Sequence, residues 1–251
     1  MKYRSSTIKS KWIKNNWLLK QPNLRKYVPQ TMLFNKKNLI TMLDEFSTVF
    51  FKPTGGSGGV NIIRIRRKTD GYEIQYHSVK TYYPTITRLF KKLHRFSKQK
   101  SFLLQKGIDL ARTNGKPFDI RVMVQKTNKG KWKSTAIFAK IGNPRKVATN
   151  YNQGGKIGYI NDTLSGAGYN KASVQRMEKE LKRLGTSVGR NFERHSKGMR
   201  ELGLDVALDA NRKPWILEVN TRPQFYPLKN MKDKKLYRRI VSYAKQYGRY
   251  K

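Results

Sequence analysis

Fifty-five lysines and arginines stand against fifteen aspartates and glutamates in this chain of 251 residues, a formal net charge of +40. No other feature limits its folding so tightly, because self-repulsion of that size opposes any compact state that does not spread or pair its cations. The opposing force must come from apolar burial. Hydrophobic residues make up 37% of the chain and aromatic ones 12%, more than a disordered chain carries. The length allows one large core, or two lobes sharing a cleft. Cysteine is absent, which excludes disulfides and thiolate metal sites and fits a reducing compartment. No apolar run approaches the roughly 20 residues of a membrane span. The N-terminus is basic, but Lys11, Lys14, Asn15 and Asn16 interrupt its apolar positions, so it does not read as a secretory signal.

The charge imbalance points to an acidic partner: nucleic acid, an anionic polymer, an acidic protein surface or a phosphate-rich ligand. It also makes each carboxylate informative. Even scattering predicts roughly one acid per window of 18 residues, whereas residues 201–218 hold four, Glu201, Asp205, Asp209 and Glu218.

Residues 8–20 read as a basic amphipathic helix carrying Ile8, Trp12, Ile13 and Leu19, and a second helix is expected over 36–44. Strands are expected over 48–51, 60–66 and 71–77, and a helix over 85–98 with Ile86, Leu89, Phe90, Leu93 and Phe96 on one face. A short strand over 102–105 precedes an antiparallel pair, 119–126 and 132–141, and then a polar loop over 150–158. The clearest helix spans 171–190, where Val174, Met177, Leu181, Leu184 and Val188 recur at helical spacing. Strands over 204–208 and 215–219 and a basic helix from about Lys234 complete the chain. Antiparallel strands mixed with a few helices define an α+β fold, with two lobes meeting near residues 103–108. The expected division is an N-terminal helical segment over 1–47, a small lobe over 48–104 and a large lobe over 105–251.

Two segments carry chemistry. The run Lys52-Pro53-Thr54-Gly55-Gly56-Ser57-Gly58-Gly59 lies between two strands. Glycines let backbone N–H groups close on a phosphate, and a neighbouring lysine supplies a point charge for the same oxygens. No Gly-Lys-Ser/Thr follows, and a strand rather than a helix comes next, so this is neither a Walker loop nor a dinucleotide fingerprint. A flexible hairpin turn is the plain alternative. The second segment is the acid-rich hairpin. A two-residue turn at Asn211-Arg212 places Asp205 opposite Glu218, with Asn220 on the same face. Facing carboxylates repel unless a cation or proton lies between them. Their oxygens, with that of Asn220, suit magnesium. Salt bridges to Arg212, Lys213 and Arg222 are the alternative.

These segments occur together with Phe118-Asp119-Ile120-Arg121, Gly203-Leu204-Asp205-Val206 and Glu218-Val219-Asn220-Thr221-Arg222-Pro223, in the order of the ATP-grasp fold. Within that superfamily the chain resembles the YheC/YheD-type endospore coat-associated proteins over roughly residues 9–245, and more distantly glutathione synthetase and protein glutamate ligases. The resemblance implies two lobes of antiparallel sheet with a nucleotide cleft between them. It implies a Mg-ATP-dependent carboxylate–amine ligase acting through an acyl phosphate, and the charge, separately, points to an acidic protein or peptide, expected in the spore coat, as its substrate. The location it implies is the cytoplasm, in the mother cell and spore coat of a sporulating bacterium. By the family pattern, Lys11 and Lys52 resemble the two phosphate lysines, with Gly56, Ser57 and Gly58 in the phosphate loop. Gln105, Lys106 and Ile108 resemble the adenine hinge, Asp119 a nucleotide-contacting acid, and Asn150 part of a phosphate- or substrate-facing loop. Arg121, Lys140 and Arg222 resemble cations around the acyl phosphate, and Asp205, Glu218 and Asn220 the magnesium ligands.

The pattern is departed from in two places. Related ligases carry a whole domain before the first lysine, whereas about ten residues precede Lys11 here, so the acceptor site is expected to be truncated, supplied by a partner or different. Gln105 stands where an acid is common, with Arg112 nearby. Two non-enzymatic readings stay open: a basic spore-coat scaffold that binds acidic proteins, and charge-driven polyanion binding. The C-terminal stretch, with nine basic residues against Asp233 in residues 229–251 and interleaved tyrosines, favours the latter unless its tyrosines pack inward.

Overall fold

The computed structural model describes residues 7–56, 58–144, 146–147 and 154–250. The chain opens with helices α1 (Lys11–Leu19) and α2 (Pro22–Arg25), followed by strand β1 (Thr31–Leu33) and helix α3 (Lys36–Glu45). Strands β2 (Thr48–Pro53), β3 (Ile63–Arg67), β4 (Tyr72–Tyr76) and β5 (Val79–Tyr83), helix α4 (Ile86–Ser97) and strand β6 (Phe102–Lys106) complete a first antiparallel sheet in the order β1-β6-β2-β3-β4-β5. Its helices start where short polar side chains cap them: Asn35 accepts from Asn38 N and Thr85 from Arg88 N. Leu39, Met42 and Leu43 of α3 and Leu89 and Leu93 of α4 then pack on Val49, Phe51, Ile63 and Ile65.

The chain crosses to the second lobe at Gly107. A Cβ there would come within 2.6 Å of Thr48 Cγ2, and Gly107 N–H donates to Thr48 O at 2.8 Å, so only glycine allows this approach. The second sheet holds β7 (Arg112–Thr113), β8 (Lys116–Lys126), β9 (Trp132–Ile141), β10 (Lys156–Tyr159), β11 (Glu201–Leu208) and β12 (Pro214–Asn220) in the order β10-β9-β8-β11-β12, with β7 on β8. Helices α5 (Ile160–Ser165) and α6 (Lys171–His195) precede β11, and a 3-10 turn (Tyr226–Asn230) and α7 (Lys235–Gln246) follow β12.

Strand alternation gives this sheet two different faces. Phe118, Ile120, Val122 and Val124 of β8 face Val174, Leu181, Leu184, Val188 and Phe192 of α6. On the reverse face, the 3-10 turn and α7 cover only one part, around Met123, Ala136 and Phe138, through Phe225, Leu228 and Ile240. The rest of that face carries Asp119, Arg121, Lys140 and Asp205.

The α+β architecture with two antiparallel sheets matches expectation, and three details differ. Residues 1–47 were expected as one helical segment. Instead Leu18, Leu24 and Val28 of α1, α2 and the following turn enter the second lobe's core, while β1 and α3 belong to the first sheet and its core. The expected loop over 150–158 ends in β10, paired with β9 from Lys156↔Ile141 onward. Strands β1 and β5 are edge strands; β5 is exposed from Val79 to Tyr82, so neither shows the apolar alternation that marks a strand in sequence. Among the described residues, no helix is long and apolar enough to cross a membrane.

Candidate functional site

The reverse face of the second sheet builds a row of charge directly from its register. Asp119 pairs with Lys140 across β8 and β9, Arg121 with Asp205 across β8 and β11, and Asp205 with Glu218 across β11 and β12. Arg121 grips Asp205 in a bidentate fork, Nε to Oδ1 at 2.7 Å and Nη2 to Oδ2 at 3.1 Å. Lys140 Nζ lies 2.9 Å from both Asp119 Oδ1 and Asp205 Oδ1. Asn220 Nδ2 donates to Asp205 Oδ2 at 3.2 Å. Burial alone would raise the Asp205 carboxyl, but Arg121 and Lys140 outweigh it and hold the group well below the usual carboxylate range. Lys140 is the mirror case: burial would lower it, and Asp119 and Asp205 raise it instead.

Asp205 faces Glu218 as the hairpin reasoning required, by a different geometry. The loop has three residues rather than two: Asp209 N–H bonds to Lys213 O, and Arg212 takes a left-handed φ of 62°. That alone would offset the register by one. A bulge between Asp205 and Val206 restores it, since Leu208 pairs with Pro214 and Val206 with Ile216, but Asp205 with Glu218. The cations that quiet the two acids also differ from those expected. Arg212 reaches Gly168 O and the Tyr169 ring, and Lys213 sits over the Trp215 ring, both at the far end of the hairpin. Arg222 is exposed. Arg121, Lys140 and Lys11 do the work instead.

The first sheet faces this row with Lys52 of β2. Its buried ammonium donates to Gln105 Oε1 at 2.6 Å and to Leu217 O, in the other lobe, at 3.3 Å. Burial, aided by Lys11 and Lys14 and opposed by Glu218, pulls its pKa down to about 8. The glycine-rich turn after β2 holds Gly56 at φ 91° and Gly58 at φ 72°, and a Cβ at either would meet nothing within 4 Å, so the backbone borders open space. Lys11, at the start of α1, ties this turn down: its N–H donates to Thr54 O at 2.7 Å and its Nζ to Gly56 O at 2.7 Å, with Glu218 Oε1 at 3.7 Å. Ser57 and Asn150 lie outside the described residues.

Two connected cavities flank the row. A cleft of about 120 Å³ is lined by Phe50, Ile62, Ile108, Leu110, Val147 and Leu217, with Lys52, Gln105, Lys106, Asp119 and Lys140. Lys106 and Gly107 N–H groups are bonded to Gln30 O and Thr48 O, and the Lys106 ammonium lies over the Phe46 and Trp215 rings. A chamber of about 530 Å³ shares Ile62, Lys140, Asp205 and Glu218 with the cleft and continues along Gly56, Gly58, Asn220 and Arg222. Together they offer an apolar slot at one end and cations at the other.

The carboxylates of Asp205 and Glu218 and the amide oxygen of Asn220 are hard donors on neighbouring strand positions, of the kind magnesium takes, with both Asp205 oxygens engaged here by Arg121, Lys140 and Asn220 Nδ2. Among the described residues no group of three or more histidine, cysteine, aspartate or glutamate side chains could hold a metal. One participant was missed from sequence. Lys14 is 5% exposed and lines the chamber, although its position in a basic amphipathic helix reads as solvent-facing.

Two antiparallel sheets closing on a cleft lined by lysines and a strand-borne carboxylate pair define the ATP-grasp fold. N5-carboxyaminoimidazole synthetase from Staphylococcus aureus, solved with ADP, superposes with a TM-score of 0.56 at 10% identity, covering 96% of this chain and 52% of that one. The chain belongs to the YheC/D-like ATP-grasp family, whose model matches residues 1–250. Two relatives from Bacillus subtilis (strain 168) are similar to it. Endospore coat-associated protein YheD is 29% identical over 226 residues, 87% of this chain and 49% of that protein. Endospore coat-associated protein YheC is 23% identical over 219 residues, 85% of this chain and 59% of that protein. The chain thus spans about half the length of the relatives it matches.

Proposed function

We propose that this chain is an ATP-dependent carboxylate–amine ligase that binds Mg-ATP in the cleft between its lobes. The observation that carries this reading is the cross-strand row of Lys140, Asp119, Arg121, Asp205 and Glu218 facing the buried Lys52 of the opposite lobe. The base would lie in the apolar slot against Phe50, Ile108 and Leu110, and the phosphates would run toward Lys52, Lys11 and the glycine turn. Asp205, Glu218 and Asn220 would hold magnesium, which when bound neutralises phosphate charge and draws the terminal phosphate into line.

In the first step a substrate carboxylate oxygen attacks the terminal phosphorus, the bond from phosphorus to the β,γ-bridging oxygen breaks, and ADP leaves. In the second an amine nitrogen attacks the acyl carbon, the carbon–oxygen bond to phosphate breaks, and the amine gives up a proton to complete the amide. The protein's part is positioning and charge. Arg121 and Lys140 are held rigidly by Asp205 and Asp119, so they meet the developing charge without reorganising. Arg222, exposed on the chamber wall, would face the carboxylate end. Ser57 and Asn150, outside the described residues, are assigned to phosphate contact by the family pattern alone.

The acceptor would be an acidic protein or peptide, recruited by the +40 charge. The family names motivate a role at the spore coat and a site of action in the mother cell. Incubation with magnesium, ATP, pooled acidic peptides and amino acids, followed by mass spectrometry, tests the reading. ADP together with a peptide whose mass has grown by one amino acid minus water is the expected result. Acidic peptides bound with ATP left intact would instead favour a non-catalytic basic scaffold.

A further inference from the structure

The inner stripe of α1 breaks the rule that a packed helix buries apolar side chains. The buried residues of α1 are Lys14, Asn15 and Leu18, so two polar side chains lie inward beside Leu18 and the partly buried Trp17 and Leu19. Lys14 is 5% exposed and Asn15 9% exposed. Their inward polar atoms are not repaid within the protein. The buried Nδ2 of Asn15 has no acceptor, and the Lys14 ammonium, which borders the chamber, forms no ion pair within 4 Å among the described residues. Glu218 and Asp205 act on Lys14 only at longer range, while burial and Lys11 oppose its charge. A nearly buried charge without a partner is costly, and such costs persist where a ligand supplies the partner.

Position says which ligand. Lys14 borders two spaces, a pocket of about 20 Å³ shared with Lys11, Lys52, Gln105 and Glu218 and the chamber of about 530 Å³ with Arg121, Lys140 and Arg222, and only the chamber has room for a peptide carboxylate. The chamber wall continues through Thr221, Pro223 and Gln224 to Tyr226, which is 47% exposed at its rim. We propose that Lys14 receives the carboxylate of the acceptor substrate, and that this acceptor is an acidic peptide entering over the Arg222–Tyr226 rim. The proposal rests on the ligase reading for the word acceptor. It adds a third lysine to the two assigned to nucleotide phosphate, with a different ligand.

The test uses Lys14→Met, of similar length without charge, Lys14→Arg, and Lys92→Met on the exposed face of α4 as a control for charge loss. Mg-ATP, Mg-ADP and triglutamate in the presence of saturating Mg-ADP are titrated by calorimetry at physiological salt. Lys14→Met is expected to bind both nucleotides as the parent chain does and to lose roughly tenfold or more in triglutamate affinity. Lys14→Arg should recover most of that, and Lys92→Met should lose none. Without ligand, Lys14→Met should melt higher than the parent, because it removes an unpaired buried charge. Loss of Mg-ATP but not Mg-ADP affinity in Lys14→Met would overturn the proposal by placing the terminal phosphate at Lys14. Unchanged triglutamate affinity would overturn it too. A parent chain that binds triglutamate through Lys14 yet binds no nucleotide would overturn the ligase reading and leave the carboxylate subsite standing.

Discussion

At the residue scale the site turns on lysines whose charge is only partly compensated. Lys52 stood out in sequence because of the glycines beside it, but its buried perch between Gln105 and Leu217 O depends on strands far apart in sequence. Replacing it with alanine is expected to weaken Mg-ATP binding roughly tenfold or more, since charge-assisted contacts contribute about 1.5–3 kcal/mol. Its pKa adds a pH signature. Held at about 8 in the folded chain against 10.5 ordinarily, the buried charge penalises folding fully below pH 8. That penalty fades as pH rises toward 10.5, so this group's contribution to stability increases across the window. Nucleotide phosphates restore a partner and raise the pKa, so Mg-ATP binding between pH 8 and 9 should take up protons and weaken with rising pH. Calorimetry in buffers of different ionisation enthalpy measures the uptake, and Lys52→Arg should abolish it. Glu218 carries a second prediction. It lies 3.7 Å from Lys11 and counters Lys14 and Lys52 at longer range, so it stabilises the ligand-free fold instead of repelling Asp205. Glu218→Gln should lower the melting temperature without ligand by roughly 2–4 °C, on the order of 1 kcal/mol. It should also remove the Mg-ATP-dependent rise. A variant that keeps the full rise would show that Glu218 is a structural counter-ion and no metal ligand.

Elements that bury one face were readable from sequence, and those that do not were not. The stripe of α6 gave that helix away, and so did the strands of β8 and β9, whereas the exposed edge strand β5 carried no pattern to read. The hairpin of β11 and β12 shows how far pattern reaches. It placed the right acids opposite each other, yet a three-residue loop and a bulge, each worth one residue of offset, were invisible because backbone compensation leaves no trace in side-chain order. The site's ion pairs were hidden for the same kind of reason, since Arg121 and Asp205 meet only when β8 and β11 become neighbours. Helix α6 offers a sharp test of its packing. Glycine within a helix normally favours replacement by alanine, which stabilises by about 0.4–1 kcal/mol. At Gly189 a Cβ would come within 2.7 Å of Trp132 Cδ2 and 2.8 Å of Cε3. The indole cannot swing away cheaply, because its Nε1–H donates to Glu193 Oε2 at 2.8 Å. Gly189→Ala should therefore destabilise by about 1–3 kcal/mol through overpacking, read as a lower denaturation midpoint. A midpoint at or above the parent's would mean that β9 and α6 are more loosely apposed than the structure has them.

For the molecule as a whole, charge separates two kinds of binding. Four of the fifteen acids are drawn inward, Asp119, Asp205 and Glu218 around the cleft, and Glu201 in a buried network with Tyr247 and Arg249 that anchors the C-terminal segment to β11. Exposed lysines and arginines, such as Lys91, Lys92 and Arg95 on α4, face solvent. Surface cations act over a screening length of about 8–10 Å at ordinary salt. Lys52 and Lys140 in the cleft are buried, and salt screens them much less. Affinity for a long acidic chain such as polyglutamate should thus fall at least roughly tenfold from low to physiological salt, as counterion release predicts for polyanions. Mg-ATP affinity should change by no more than about threefold over the same range, because its contacts lie in the cleft. The measurement is a pair of titrations across salt, one for each ligand, on the same preparation. Equal slopes would mean that ATP is held by the same diffuse surface charge as the polymer, and the cleft between the lobes would lose its claim to the nucleotide. A steep slope for polyglutamate with a shallow one for Mg-ATP would separate binding at the exposed surface from binding in the cleft beside the row of paired charges on the second sheet.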